Sequence, residues 1–199
     1  MKTAELFEND KLYLPKLVAG VDEVGRGPLA GPVVCACVIM PLDVMIDGVN
    51  DSKKVSEKKR EELYDIIKEN ALSYSIASLP PSVIDEINIY QAVKLAMKQA
   101  IEGLKVMPSL VLVDAMRDLD VSVPCESIIK GDAKSYNIAA ASIIAKVYRD
   151  RIMREIAGKY PEYGFLTNKG YGTKEHIEAI KKYGKTEVHR ETFIKNFIS

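Results

Sequence analysis

The sequence lacks the parts from which several protein classes are built. Its longest apolar run, Pro32 to Leu42, falls far short of the roughly 20 residues that a bilayer-crossing helix needs. Met1 to Asp10 is polar, with no apolar stretch of the kind found in a secretory signal. Neither a repeat nor a low-complexity tract interrupts the chain, and a 47% hydrophobic composition excludes a disordered protein. Three cysteines, Cys35, Cys37 and Cys125, form an odd set without a CxxC pair, which excludes a disulfide framework and a zinc finger. Net charge is also missing, because 28 basic residues balance 28 acidic ones. The balance conceals a split: the acidic excess lies before residue 131 and the basic excess after it. Such a split suits a protein that holds cations in one place and grips a polyanion in another. The expectation is a cytoplasmic monomer that meets no membrane and keeps its cysteines reduced in the core.

At 199 residues one domain is expected, large enough to bury roughly 70% of its unfolded surface. Leu17–Val24 and Val33–Met40 read as strands, the second apolar on both faces and therefore central. The short loop between them leaves no room for a crossover helix, so they should pair antiparallel. A helix follows Ser56, its N-cap, with Leu63, Ile66 and Ile67 as the apolar stripe. Leu72–Leu79 alternates as a third strand. Ser82 and Asn88 are candidate caps of two successive helices, the longer carrying Val93, Ala96, Met97, Ala100, Ile101 and Leu104. Leu110–Val113 and Val123–Ile129 complete the strands. A long helix rich in small residues should span about 133–157, and an amphipathic helix Thr173 to Tyr183. The pattern predicts an α/β fold with a mixed five-stranded sheet flanked by helices. Residues 1–16 read as a short polar lead, 17–158 as the catalytic domain, and 159–199 as a C-terminal helical extension that binds substrate.

Strand after strand ends in acid. Asp22-Glu23 closes the first, Asp114 the fourth, and Asp132 follows the fifth. Ligand sites in α/β sheets lie beyond strand ends, so these carboxylates can converge. Taken singly, Asp132 reads as the cap of the long helix and Asp114 as turn chemistry. Asp22 and Glu23 resist so plain a reading, because adjacent carboxylates after an apolar strand repel one another unless a cation or solvent intervenes. Without histidine or cysteine among them, the four form a hard oxygen site suited to Mg²⁺ or Mn²⁺. Two such ions are a standard device for in-line phosphodiester hydrolysis. Three glycines and two prolines follow Glu23 within nine residues, exposing backbone N–H groups suited to a phosphate.

The stretch from Gly20 to Val34, reading GVDEVGRGPLAGPVV, resembles the signature of the ribonuclease HII family. The likeness continues in Asp51-Ser52-Lys53-Lys54, Leu112-Val113-Asp114-Ala115, the run Lys130 to Ser135 with its alanine-rich helix, Gly170-Tyr171-Gly172-Thr173, and His189-Arg190. It covers residues 17 to about 194. The resemblance implies a ribonuclease H-like fold and a catalytic set of Asp22, Glu23, Asp114 and Asp132 that binds two divalent cations, Mg²⁺ or Mn²⁺. It further implies hydrolysis of RNA in RNA/DNA hybrids and incision 5′ of single ribonucleotides in duplex DNA, leaving 3′-hydroxyl and 5′-phosphate ends. Gly25, Arg26 and Gly27 would read the 2′-hydroxyl, and Tyr171 would stack on the neighbouring deoxyribose. Lys53 or Lys54 is a candidate for a phosphate near the cut. Lys134, Ser135, Lys146, Arg149, His189 and Arg190 are candidates for the backbone track. His176 is expected to be structural or exposed. The sister family, ribonuclease HIII, carries a Gly-Lys-Gly loop, a final Glu and a large N-terminal domain. Arg26, Asp132 and the short lead favour type HII. Two rivals remain: a DNA-cutting nuclease of the same fold, which would cleave all-DNA duplexes, and a non-catalytic hybrid-binding module, which would bind without cleaving.

Overall fold

Two helical layers enclose one mixed sheet in the computed structural model, which describes residues 3–197. The strands are β1 (Val18–Val24), β2 (Val33–Ile39), β3 (Ser73–Leu79), β4 (Leu110–Asp114) and β5 (Cys125–Ile128), in the order β3-β2-β1-β4-β5. β2 is antiparallel to both β1 and β3, as the short β1–β2 connection requires. β4 and β5 run parallel to β1 and to each other, β4 reached through a helical crossover and β5 through a loop over residues 115–124. β1 is therefore the central strand, and the end bearing Asp22 and Glu23 lies beside the end of β4 bearing Asp114.

The period of two along the strands sorts the core. Val33, Cys35, Cys37 and Ile39 face α3 (Pro81–Glu102), packing with Val93, Ala96, Met97 and Ala100. Val34, Ala36 and Val38 face α2 (Glu57–Asn70) and α4 (Tyr136–Lys159), meeting Leu63, Ile67, Ala139, Ala140 and Ile143. The small residues of α4 permit close approach. At Gly20 a Cβ would stand 2.2 Å from the Asn137 carbonyl carbon, so only glycine lets α4 cross β1 there. Each large aliphatic side chain buried in these layers contributes roughly 1.5–3 kcal/mol.

Several local expectations change. The polar lead contains a helix, α1 (Thr3–Lys11), that buries Leu6 and sets Phe7 edge-on against Tyr136 at 5.2 Å. Its Asp10 carboxylate accepts bonds from Asn137 N, Asn137 Nδ2 and Ser135 Oγ at 2.7–3.0 Å, holding the start of α4. Ser56 caps α2 as expected, but Tyr64 is buried while Ile66 is exposed. Ser82 caps nothing: α3 begins at Pro81, and Asn88 (φ 65°) restarts it by accepting from Tyr90 N and Gln91 N. Cys125 is exposed, unlike Cys35 and Cys37. Beyond α4 the chain adds α5 (Phe165–Asn168), α6 (Lys174–Tyr183, capped by Thr173) and α7 (Glu191–Ile194). Among the described residues no helix is long and apolar enough to cross a membrane.

Candidate active site

β1 and β4 bring Asp22, Glu23 and Asp114 together: one carboxylate oxygen from each lies within 4.8 Å of the others. Asp22 is buried, and its Oδ1 accepts from Glu23 N at 2.7 Å. Asp114 Oδ1 accepts from Gly131 N at 2.6 Å, which ties the end of β4 to the turn Gly131–Ala133 that carries Asp132. Asp132 does not cap α4. Ser135 does, accepting from Ile138 N, so the cap reading of Asp132 falls away. Asp132 stands outside the triad yet close enough for its charge to act on Asp22.

The electrostatics are those of an anion cluster short of cations. Burial pushes the Asp22 carboxyl well above the usual range, and the charges of Glu23 and Asp114 push it further. Burial also raises Glu23, partly offset by the Arg26 guanidinium 3.6 Å away. Asp132 is raised by burial, then by Asp51 and Asp114, with Lys53 opposing. Like charges held this close favour protonation or a bound cation. Oxygen-only donors, mutually repelling and joined by no histidine, fit a divalent ion of the Mg²⁺ or Mn²⁺ type.

Lys53 reaches to 3.9 Å from Asp132 Oδ2 while its side chain stays 83% exposed. Burial lowers its pKa, but Asp132, Asp51, Asp22 and Asp114 together outweigh that and raise it. It is thus a charged, exposed group at the mouth of the cluster. Asp51 is a residue that sequence reasoning passed over. It caps the turn Ser52–Lys54 through Lys53 N at 3.0 Å, and its charge acts on Asp132. Its signal was available as the first residue of Asp-Ser-Lys-Lys.

The loop after β1 is held from behind. Arg190 is fully buried, and its guanidinium donates to the carbonyls of Gly25 (2.6 Å), Arg26 (3.0 Å) and Gly31 (2.9 and 3.0 Å). Because a trans peptide points its N–H opposite its C=O, the Arg26 and Gly27 N–H groups are turned toward the exposed side. Arg149, also buried, donates to Pro32, Lys169 and Ala30 carbonyls at 2.9–3.2 Å. Tyr171 is 46% exposed, and its Cε1 lies 3.9 Å from where a Gly27 Cβ would be. The tyrosine and the glycine loop therefore share one surface beside the acids.

Four residues offered for the backbone track are buried and bonded within the protein. Ser135 is buried as the α4 cap, Arg149 and Arg190 are spent on carbonyls, and His189 is buried against His176. Lys146 is bonded to Asp150 at 2.7 Å. Charge alone does not tell whether a cation faces phosphate or peptide oxygen.

The family model described as Ribonuclease HII matches residues 19–196. A Ribonuclease HII of Acetivibrio thermocellus is 58% identical over 183 residues, covering 92% of this chain and 72% of that protein. Another, of Clostridioides difficile, is 53% identical over 201 residues, covering 100% and 78%. Among solved structures, ribonuclease H2 of Pyrococcus horikoshii superposes with a TM-score of 0.77 at 30% identity, covering 90% of this chain and 96% of that one. With the fold and the sequence agreeing over nearly its whole length, this chain belongs to the ribonuclease HII family of endoribonucleases, hydrolases of RNA in RNA/DNA hybrids.

Proposed function

We propose that the protein incises duplex DNA 5′ of a single embedded ribonucleotide as well as cleaving the RNA strand of hybrids, leaving 3′-hydroxyl and 5′-phosphate ends. That activity would serve ribonucleotide excision repair in the cytoplasm, by a monomer. Asp22, Glu23, Asp114 and Asp132 would hold two divalent cations, Mg²⁺ or Mn²⁺. When bound, such ions polarise the scissile phosphate and acidify the attacking water. The observation that carries this reading is the mutual approach of three carboxylates, two of which, Asp22 and Glu23, are pushed toward protonation by burial and by neighbouring negative charge.

The remaining roles belong to the chain. The outward N–H groups of Arg26 and Gly27 are donors suited to a 2′-hydroxyl or a phosphate oxygen, and Gly27 leaves room for a sugar. Tyr171, beside Gly27, offers a ring on which the next deoxyribose can pack. A substrate with RNA on one side of the cut and DNA on the other would meet both readers at once. Lys53 supplies a cation for a phosphate near Asp132.

The test is a duplex carrying one ribonucleotide, incubated with Mg²⁺ or Mn²⁺ beside an all-DNA duplex. Incision confined to the ribonucleotide, and abolished by Asp132→Asn, is expected. Cutting of all-DNA duplex, or incision indifferent to that substitution, would refute the proposal.

A further inference from the structure

Behind the exposed Tyr171 ring lies a pair of histidines that the proposed chemistry does not use. His176 of α6 is fully buried, and its Nε2 lies 3.1 Å from Nε2 of His189, itself buried in the segment before α7. The Tyr163 and Phe165 rings close around them, centroids 5.0–6.4 Å from the imidazoles. On its far side His176 Nδ1 is 2.9 Å from the Tyr171 carbonyl oxygen. His189 Nδ1 receives the Thr186 backbone N–H at 2.9 Å, with Thr186 Oγ1 also 2.9 Å away.

The proton positions follow by elimination. A backbone N–H can only donate, so His189 Nδ1 carries a lone pair and the ring proton sits on Nε2. That proton must then be donated to His176 Nε2, which is an acceptor. The proton of neutral His176 is left on Nδ1, aimed at the Tyr171 carbonyl, which can only accept. No other tautomers of the neutral pair satisfy the Thr186 N–H, the Nε2–Nε2 and the Tyr171 carbonyl contacts together.

The backbone around the pair binds the two sugar readers together. Leu29 N and Ala30 N donate to Gly170 O, Gly31 N donates to Val188 O, and Arg190 N donates to Leu29 O, at 2.8–3.3 Å. Ala30 and His189 form an antiparallel bridge. The residues flanking Tyr171 and those following the Gly25–Gly27 loop are thus one hydrogen-bonded unit, and the histidines set the Tyr171 peptide within it.

We propose that the His176–His189 pair is a positioning element for Tyr171, a directed hydrogen-bond relay from the Thr186 N–H to the Tyr171 carbonyl that determines how strongly the enzyme prefers an RNA–DNA junction over continuous hybrid. Neither imidazole touches substrate; both act through the tyrosine. The proposal rests on the reading of Tyr171 as the junction sensor.

The experiment compares kcat/KM on a single-ribonucleotide duplex with kcat/KM on an RNA/DNA hybrid, for wild type, Tyr171→Ala, His176→Phe and His176→Asn. His176→Phe should lower the junction-to-hybrid ratio by about fivefold, the scale of one lost hydrogen bond. Tyr171→Ala should lower it at least as far. His176→Asn, whose amide N–H stands where Nδ1–H stood, should recover most of the ratio. Parallel losses on both substrates in His176→Phe, as a loosened core would give, overturn the proposal, and so does an Asn variant no better than Phe. An unchanged ratio in Tyr171→Ala strikes down the sensor reading and the relay with it. A changed ratio there beside parallel losses in His176→Phe strikes down the relay alone. Should His176→Phe fail to fold, imidazole ¹⁵N shifts of the wild type decide at pH 7: His176 protonated on Nδ1 and His189 on Nε2 support the relay, and any other pair of tautomers, or a charged ring, overturns it.

Discussion

Asp22 occupies a position that the folded chain resists when the residue is ionised. Burial raises its carboxyl pKa first, and Glu23 and Asp114 add to it, so the folded value lies above the unfolded one. A group shifted this way destabilises the metal-free fold at neutral pH, and the penalty fades as pH falls through the raised pKa. Asp22→Asn removes the charge and keeps an oxygen for the Glu23 N–H. In chelator the variant should melt at a higher temperature than wild type. Its incision rate should fall more than about 100-fold, beyond what loss of an outer partner of a metal ligand costs. Divalent cation should raise the wild-type melting temperature more than that of the variant, and equal rises would argue against Asp22 as a ligand. His189 gives the opposite slope. Burial, with a smaller contribution from His176, lowers its pKa from 6.5 to about 4. The unfolded chain therefore takes up a proton first, and stability falls as pH drops from 6.5 toward 4, by about 3 kcal/mol in all. Thermal melts across that window should show a shallower dependence for His189→Gln than for wild type, since the neutral amide cannot titrate.

Among the elements, the loop from Gly25 to Gly31 separates two reasons for a glycine. Gly25 has φ +91°, and a Cβ there would stand 2.3 Å from Arg149 Nε, so Gly25→Ala would both strain the backbone and displace a buried guanidinium. A loss of at least about 2 kcal/mol is expected, read as a lower melting temperature. At Gly27 a Cβ meets only Tyr171 Cε1, at 3.9 Å. Gly27→Ala should therefore change stability by less than about 0.5 kcal/mol while slowing incision of the single-ribonucleotide duplex, because the methyl group stands where the sugar would approach. A variant that melts early and cuts normally would mean the glycine is structural. The sequence revealed that this loop needs close approach, but not what holds it. Arg149 continues the buried face of α4 at Ala141, Ala145, Arg149 and Met153, a four-residue spacing that turns it inward although its charge suggests an outward role. Ser135 stands where a cap belongs, directly before a helix, yet the sequence offers Asp132 for that role as readily. The Ser135 partner Asp10 was not legible, lying 125 residues away in a segment whose polar composition hides the buried Leu6 and Phe7.

For the molecule as a whole, the antiparallel pairing of β1 with β2 and the approach of Asp22, Glu23 and Asp114 followed from a short connection and from apolar runs ending in carboxylates. The standing of residues 159–197 did not, because a charge count shows a basic tail and not where its apolar side chains go. They form a core with the rest of the chain: Leu29, Ala30 and Met153 pack with Tyr163, Phe165, Ala179, Ile180 and Ile194. Asp85 of α3 accepts from Glu191 N and Thr192 N at 2.8–2.9 Å, closing the far side. Arg190 reaches back to the Gly25, Arg26 and Gly31 carbonyls, and Arg149 reaches forward to the Lys169 carbonyl. A chain ending at residue 158 would lose Arg190 outright, uncover Leu29 and Met153, and leave the loop carbonyls unpaired. Each buried group left without a partner costs about 1–3 kcal/mol, and several such losses rival the 5–15 kcal/mol that a domain has in total. The truncated chain should therefore fail to fold cooperatively, whereas the intact chain should unfold in urea as one transition, with tyrosine fluorescence and far-ultraviolet circular dichroism coinciding. A truncated chain that keeps the wild-type midpoint, or two separated transitions in the intact one, would mean that the tail is an appendage and that the glycine loop holds its shape without it.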